Sequence, residues 1–146
     1  TMFLSKGSEY GIKAAIFIAS KSLESQRTNL NEIASAINSP VAYTAKILQK
    51  LVKGDIIQST RGINGGFEIS LENIKSICIF NIITSIDGNS IEKKCLLGLN
   101  YCSSTNPCPI HHKYMFIREN TVSVLKNTTI EELATKYDNN YSVLYN

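Results

Sequence analysis

The 146-residue sequence lacks the features that mark membrane and secreted proteins. No stretch approaches the roughly 20 consecutive apolar residues that a membrane-spanning helix requires. The first residues contain no basic segment followed by an uninterrupted apolar run, which a secretory signal would show. We therefore expect a soluble cytoplasmic protein with no membrane partner, whose core is large enough to need no disulfide framework.

The sequence also lacks a strong charge excess, an internal repeat and a low-complexity run. Its formal net charge is only +3, so composition by itself does not indicate nucleic-acid binding. Residues 1–70 hold eight Lys and Arg against five Asp and Glu, whereas the remainder holds seven of each. The basic excess therefore lies in the first half, as expected if that half meets phosphates, although on charge alone a solvated surface is the simpler explanation.

Helical periodicity in the first half predicts three helices. Apolar residues at helical spacing indicate a first helix over residues 8–23. Asn29, with Glu32 three residues later, forms the capping-box pattern of a second helix that ends near Asn38. Ser39 and Pro40 then supply an N-cap and a first helical residue for a third helix, which ends at residue 54. Two short helices joined by a tight turn, the second with polar and basic residues outward, are typical of a helix-turn-helix.

Residues 56–69 predict a β-hairpin directly after the third helix. Strand-like residues flank Asn64, Gly65 and Gly66, and this triplet can adopt the positive φ values that a tight turn requires. A hairpin in this position is a wing, and Arg61 at its base is placed to reach a phosphate or a minor groove. The alternative is a structural hairpin that carries a solvated arginine.

Three of the four cysteines lie within fourteen residues, at Cys95, Cys102 and Cys108, and His111 follows three positions after the last. Thiolates are soft ligands that hold iron–sulfur clusters, and the glycine, serine and proline residues of this loop let it wrap closely around one. Zinc bound by three cysteines and a histidine is an alternative, and a metal-free thiol–disulfide switch is another. Cys78 stands between two isoleucines, and we expect it to be a small buried hydrophobe without chemistry.

Four motifs resemble those of the Rrf-two (Rrf2) family of winged-helix transcription regulators. They are Ser-Lys-Gly-x-x-Tyr at 5–10, Tyr-x-x-Lys-Ile-Leu-Gln-Lys-Leu at 43–51, Arg-Gly-x-x-Gly-Gly-Phe at 61–67 and the three-cysteine cluster. The motifs fall in the family's order, and the resemblance covers residues 2 to about 136. It implies a homodimer whose third helix enters the major groove of double-stranded operator DNA while the wing touches the adjacent minor groove.

The resemblance implies a DNA-binding surface made of the third helix and the wing. Tyr43 and Arg61 match DNA-contact positions of the family, whereas the other residues of the set are inferred from their place on the helix or in the wing turn. A lysine late in the helix adds attraction to phosphate rather than base readout. The predicted DNA-binding residues are Ser39, Tyr43, Thr44, Lys46, Lys50, Arg61 and Asn64.

The resemblance also implies an iron–sulfur cluster held by Cys95, Cys102 and Cys108. In IscR-type members the fourth ligand is a histidine three residues after the last cysteine, which is His111 here and favours a 2Fe-2S cluster. In NsrR-type members it is an acidic residue from the first helix of the partner subunit, which corresponds to Glu9 here and would suit a 4Fe-4S cluster. Protein handled in air can lack the cluster.

The sequence thus predicts a mainly α-helical winged helix-turn-helix protein with a small β-hairpin wing and a long dimerization helix. We divide it into a DNA-binding domain at 1–88, a cysteine-rich cluster-binding loop at 89–108, a dimerization helix at 109–127, and a short C-terminal helix with a tail at 128–146. The predicted function is a repressor-type transcription regulator whose cluster senses nitric oxide, redox state or cluster supply. An enzyme is not predicted, because Cys108 and the nearby histidines lack an assured hydrogen-bond geometry and a third orienting group.

Overall fold

The computed structural model describes residues 4–100, 102–138 and 143–146, and these form helices around one small antiparallel hairpin. The hairpin consists of β1 (Gln58–Thr60) and β2 (Gly66–Glu68), and a 3₁₀-helical turn covers Gly88–Glu92. The helices are α1 (Lys6–Leu23), α2 (Leu30–Ala36), α3 (Val41–Lys53), α4 (Leu71–Ser76), α5 (Ile79–Asp87), α6 (His111–Asn127) and α7 (Ile130–Asp138). This arrangement confirms the predicted fold class. None of the described helices combines the length and the apolar composition needed to cross a membrane.

Side-chain caps define where the first two helices begin. The Ser5 side chain accepts a hydrogen bond from the backbone N–H of Ser8, so α1 starts two residues earlier than the apolar periodicity indicates. Asn29 caps α2 as predicted: its Oδ1 accepts from the backbone N–H of Glu32 at 2.9 Å, and its Nδ2 donates to the Glu32 carboxylate at 2.6 Å. The predicted N-cap is therefore confirmed, whereas the Glu32 carboxylate accepts from the Asn29 side-chain amide and not from the backbone N–H that a capping box requires.

The start of α3 differs from the prediction. Pro40, not Ser39, is the N-cap residue, and no side chain caps the helix. The Ser39 hydroxyl instead lies 2.8 Å from the hydroxyl of Thr44, which also donates to the Pro40 carbonyl at 2.9 Å. Both side chains are buried, so their hydrogen bond stabilises the turn between α2 and α3.

The wing forms as an antiparallel pair in which Ser59 stands opposite Phe67. Thr28, in the loop before α2, extends the pair: its N–H donates to the Phe67 carbonyl at 3.1 Å, and the Phe67 N–H donates back at 2.8 Å. Within the turn, the residues with positive φ are Gly62 at 103° and Gly66 at 136°. Of the Asn64-Gly65-Gly66 triplet, which can adopt the positive φ of a tight turn, only Gly66 does so.

The core is assembled around α1, which packs against α3, α5 and α7. The isoleucine-rich residues 74–86 form the end of α4 and most of α5, with the break at Ile77 and Cys78. Cys78 is half-buried at the start of α5, where its backbone and sulfur both approach the Asn81 side chain, so it is a helix-terminal residue and not a buried hydrophobe.

The C-terminal helix belongs to the same core. Ile130 and Ala134 on α7 are fully buried, and a bridge between Cys78 and Thr129 ties the start of α7 to the start of α5. The helix runs to Asp138. Residues 139–142 of the predicted tail lie outside the described residues, but Leu144 in the last segment packs against the core.

Candidate DNA-binding surface and cysteine site

The exposed face of α3 carries Tyr43, Lys46 and Lys50. The Tyr43 ring packs edge-on against Tyr10 of α1 with 5.6 Å between ring centroids, which limits its freedom while leaving it accessible. Lys50 is less free, because its Nζ donates to the Ile86 carbonyl near the end of α5 at 3.4 Å. Of the predicted DNA-binding residues on α3, Tyr43 and Lys46 are therefore exposed to solvent and make no competing hydrogen bond with the described residues.

The wing places a second cation beside α3. Arg61 is exposed directly after β1, and together with Gln49 and Lys53 it lines a cavity of about 410 Å³ between α3 and the wing. The cavity thus combines one guanidinium and one ammonium group on adjacent elements. Such a pair suits a phosphate of a nucleic-acid backbone that runs between the helix and the wing.

Two predicted DNA-binding residues do not face outward. The Thr44 residue is only 1% exposed and Ser39 only 9%, and their hydroxyls meet each other instead of solvent. The expectation that Thr44 lies on the outer face of the helix is wrong, because its position on α3 points towards α2. We assign both residues a structural role.

Arg27 is a residue of this surface that sequence reasoning missed. Its guanidinium donates to the Asn64 carbonyl in the wing turn at 2.9 Å and lies 3.3 Å from the Glu68 carboxylate. The Asn64 side chain itself is exposed at the tip. Nothing around Arg27 in the sequence points to a partner 37 residues away, so only the folded hairpin reveals that this side chain steadies the wing.

The cysteine site forms two contacts just before α6. The Sγ atoms of Cys95 and Cys108 are 3.8 Å apart, and the Cys102 Sγ lies 2.9 Å from Nδ1 of His111. His111 is only 4% exposed, Cys95 is buried, and the other two cysteines are half-buried. The fold therefore brings the four predicted residues of this chain into two contacting pairs, although they are separated by up to 16 positions in the sequence.

Helix α6 positions these side chains. Cys108 and His111 are one helical turn apart, since the His111 N–H donates to the Cys108 carbonyl at 3.0 Å. Further along α6, Arg118 donates to the Lys94 carbonyl at 3.3 Å and thereby holds the residue before Cys95. Both ends of the cysteine loop are thus attached to the same helix.

The chemistry of this site fits a metal or a cluster in its donor set. Three sulfurs and one imidazole are present, and Nε2 of His111 is buried with no hydrogen-bond partner among the described residues. Among the described residues, however, no group of three His, Cys, Asp or Glu side chains is arranged so that it could bind a metal ion. The donors therefore stand in two pairs, and a bound group would have to draw the pairs together.

The protonation of the site is shaped by backbone and burial. Backbone hydrogen bonds, chiefly at Leu99, lower the pKa of the Cys95 thiol below its usual range, against the opposite effect of burial. Burial raises the pKa of Tyr114, one turn after His111 on α6, so its phenol stays protonated near the loop. A lowered thiol pKa favours the thiolate, which is the form that binds metals and reacts with disulfides.

Glu9, the alternative fourth ligand, lies on α1. Its carboxylate is 3.3 Å from Nζ of Lys6, with which it forms an ion pair on the helix surface. The alternative assigns Glu9 to the cluster of a partner subunit, so it stays a prediction.

Known proteins similar to this chain are transcription regulators. The model of the Rrf2 family, described as an iron-dependent transcriptional regulator, matches residues 4–136. An HTH-type transcriptional regulator of Aquifex aeolicus is 32% identical over 123 residues, which cover 82% of this chain and 85% of the relative. The HTH-type transcriptional regulator NsrR of Oceanobacillus iheyensis is 26% identical over 133 residues, or 90% of this chain and 89% of NsrR.

Solved structures show the same fold. CymR, the global cysteine regulator of B. subtilis, superposes with a TM-score of 0.74 at 23% identity, covering 92% of this chain and 98% of CymR. IscR of T. potens superposes with a TM-score of 0.72 at 18% identity, covering 96% of this chain and 91% of IscR. At these identities the likeness establishes the architecture alone.

A helix-turn-helix followed by a wing defines a winged-helix transcription regulator, and the relatives confirm the prediction that the chain is not an enzyme. The chain belongs to the Rrf2 family of transcription regulators.

Proposed function

We propose that this regulator binds operator DNA as a homodimer in the cytoplasm and that its cysteine site holds an iron–sulfur cluster that controls binding. The proposal rests on two contacts near the start of α6. The Cys102 sulfur contacts the buried His111 ring, and the Cys95 sulfur contacts the Cys108 sulfur. The similarity to NsrR supports it, as does the family's description as iron-dependent.

In this proposal α3 reads the major groove and the wing reaches the adjacent minor groove. Tyr43 and Lys46 are exposed on α3 and can meet bases or phosphates, and Arg61 extends the surface into the wing. Arg27 and Thr28 hold the wing at a fixed distance from α3, so both elements can engage the duplex together.

Control of DNA binding would run through α6. This helix starts at the cysteine site and carries the exposed apolar residues Phe116, Ile117 and Val124, which we assign to the contact with a second subunit. In a symmetric dimer, two α3 helices must match half-sites about 34 Å apart or a multiple of this. A shift at the start of α6 would change that spacing and so lower or raise operator affinity.

The residues that would hold the cluster are Cys95, Cys102, Cys108 and His111, which favours a 2Fe-2S form. Glu9 of the partner in place of His111 would favour a 4Fe-4S form. When bound, such a cluster supplies reversible one-electron chemistry and reactivity towards nitric oxide and oxygen. The unpartnered Nε2 of His111 supports the first ligand set, because a buried ring nitrogen without a partner is costly unless it gains one.

The test is anaerobic purification followed by visible absorption and by iron and acid-labile sulfide analysis. We expect bound iron and sulfide in the wild type, loss of both in Cys102→Ala, and retention in Cys78→Ser, which changes a cysteine outside the loop. Cys102→Ala should also alter DNA affinity relative to the loaded wild type. Colourless wild-type protein, also after reconstitution with iron and sulfide, would overturn the cluster proposal.

The same analysis decides between the alternatives. Stoichiometric zinc without iron would point to a structural Cys₃His site. Protein with neither metal would leave thiol chemistry, which the 3.8 Å separation of the Cys95 and Cys108 sulfurs favours. In each case the protein remains a DNA-binding regulator of the Rrf2 family.

A further inference from the structure

We propose that Cys95 and Cys108 of the metal-free protein are a redox modification site that closes to a disulfide, and that Cys102 is excluded from it. The two sulfurs are already 3.8 Å apart, whereas a disulfide bond measures about 2.0 Å, so an approach of less than about 2 Å is needed. Cys102 is held elsewhere, because its sulfur lies 2.9 Å from Nδ1 of the buried His111.

The sequence alone does not single out this pair. Cys102 is closer in the chain to either cysteine than they are to each other, so loop closure by itself would favour a bond to Cys102. In the folded loop, however, the Cys95 sulfur lies beside the Cys108 sulfur, and the Cys102 sulfur lies beside His111. Between Cys95 and Cys102 the chain turns at Gly98, whose φ is 77° and whose N–H donates to the Cys95 carbonyl at 3.1 Å.

A small anionic disulfide has access to the pair. A cavity of about 420 Å³ lies beside Cys95, and Lys93 and Lys94 at its edge offer positive charge to carboxylates. Oxidised glutathione carries both the disulfide and the carboxylates. In the net exchange the two cysteine thiols lose their protons and two electrons, the new Cys95–Cys108 bond forms, the glutathione disulfide breaks, and two molecules of reduced glutathione leave with the protons.

The pairing does not depend on the proposed cluster, but it has a consequence for it. A Cys95–Cys108 disulfide ties up two of the four proposed ligands, so oxidised protein should take up no iron until it is reduced. That consequence rests on the proposed function, whereas the pairing itself is decided by thiol mapping without any metal.

The experiment maps the thiols of the full chain. Protein treated with a chelator and reduced is transferred to oxidised glutathione; free thiols are blocked with N-ethylmaleimide, and the disulfide is then reduced and labelled with iodoacetamide. Trypsin releases residues 95–113 as one peptide, because no Lys or Arg lies between Lys94 and Lys113, so all three loop cysteines are read together by fragmentation. We expect maleimide on Cys102 and carbamidomethyl on Cys95 and Cys108.

Single Cys→Ser variants test which two cysteines form the disulfide. Cys102→Ser should still form the disulfide, whereas Cys95→Ser and Cys108→Ser should each give a mixed disulfide with glutathione in its place. Cys78, on the separate tryptic peptide 76–93, reports the background of non-specific oxidation. Carbamidomethyl on Cys102 in the wild type, or three free loop thiols while Cys78 is oxidised, would overturn the proposal. Iron uptake is measured separately, so a failed pairing and a failed cluster give different results.

Discussion

Burial separates two kinds of polar residue on α3. Tyr43 and Lys46 stand at the surface, whereas Thr44 is enclosed and its hydroxyl reaches the Ser39 hydroxyl and the Pro40 carbonyl. The sequence places all of them on the same helix turn and offers no reason to treat them differently. Their roles follow from which face α2 covers, and that is decided by packing.

Thr44→Val tests this division at the residue scale. The substitution keeps the shape of the side chain but removes the hydroxyl, so the Ser39 hydroxyl loses its buried partner. We expect the free energy of unfolding to fall by about 1–2 kcal/mol in denaturant titrations, with the DNA affinity of the folded protein unchanged. Thr44→Ser, which keeps the hydroxyl, is the matched control. Weaker DNA binding at unchanged stability would show that Thr44 contacts DNA after all.

Arg61→Ala tests the opposite kind of residue. The side chain is exposed beside Lys53, and it has no hydrogen-bond or ion-pair partner among the described residues. We expect unchanged stability, weaker binding to duplex DNA, and a salt dependence whose slope falls by about one phosphate contact. Lys136→Ala removes one positive charge from α7, away from the wing, and should leave the slope as it is. If both variants lowered the DNA affinity and the salt slope equally, Arg61 would act only through the net charge of the protein.

At the scale of elements, short-range signals were predictable and long-range ones were not. The Asn29 cap of α2 lies within four residues, so the sequence reveals it. The link between Arg27 and the wing spans 37 residues, and the bridge between Thr28 and Phe67 spans slightly more, so neither leaves a local trace. The predicted N-cap Ser39 failed for a related reason, because a buried partner competed for its hydroxyl.

Gly65→Ala tests how closely the wing is packed upon itself. A Cβ atom at this position would lie 2.1 Å from the Thr60 carbonyl oxygen and 2.8 Å from the Arg61 carbonyl carbon, and backbone atoms cannot move aside as a flexible side chain can. We expect the hairpin to distort and the amides of Thr28 and Phe67, which bond across it, to exchange hydrogen faster. DNA affinity should fall with only a modest loss of global stability.

The neighbouring substitution Ile63→Ala is the control for that experiment. Ile63 is fully exposed at the tip, so its truncation leaves the backbone of the turn as it is. Its amide-exchange pattern at Thr28 and Phe67 should match the wild type. If Gly65→Ala also matched the wild type, the turn would have an alternative conformation that accommodates a side chain.

At the scale of the whole molecule, contiguous motifs were easier to predict than the packing of distant parts of the chain. The fold class and the family were recognisable because the motifs of α1, α3, the wing and the cysteine loop are each contiguous in sequence. The C-terminal helix was predicted as a short helix, but the sequence did not reveal that its Ile130 and Ala134 are buried in the core to which α1 belongs. Likewise, the four site residues were predictable as a set, but their pairing depends on how the loop folds onto α6.

One chain supplies a single recognition helix and a single wing, and the outer face of α6 is where a second copy would complete the regulator. Phe116 and Val124 are each 63% exposed and Ile117 is 53% exposed, and residues seven or eight positions apart share a helix face. Exposed apolar side chains in such a stripe favour association with a matching surface. In a two-fold dimer the same stripe would meet its own copy.

Phe116→Asp places a charge in this stripe and should therefore prevent pairing. We expect wild-type protein to sediment as a dimer and the variant as a monomer in analytical ultracentrifugation, because a carboxylate facing its own copy in an apolar contact is unpaired and repelled. Operator affinity should fall steeply, since two half-sites are no longer bound together. Leu71→Asp adds the same charge at an exposed leucine of α4 and should stay dimeric. A dimeric Phe116→Asp variant would move the subunit contact away from α6.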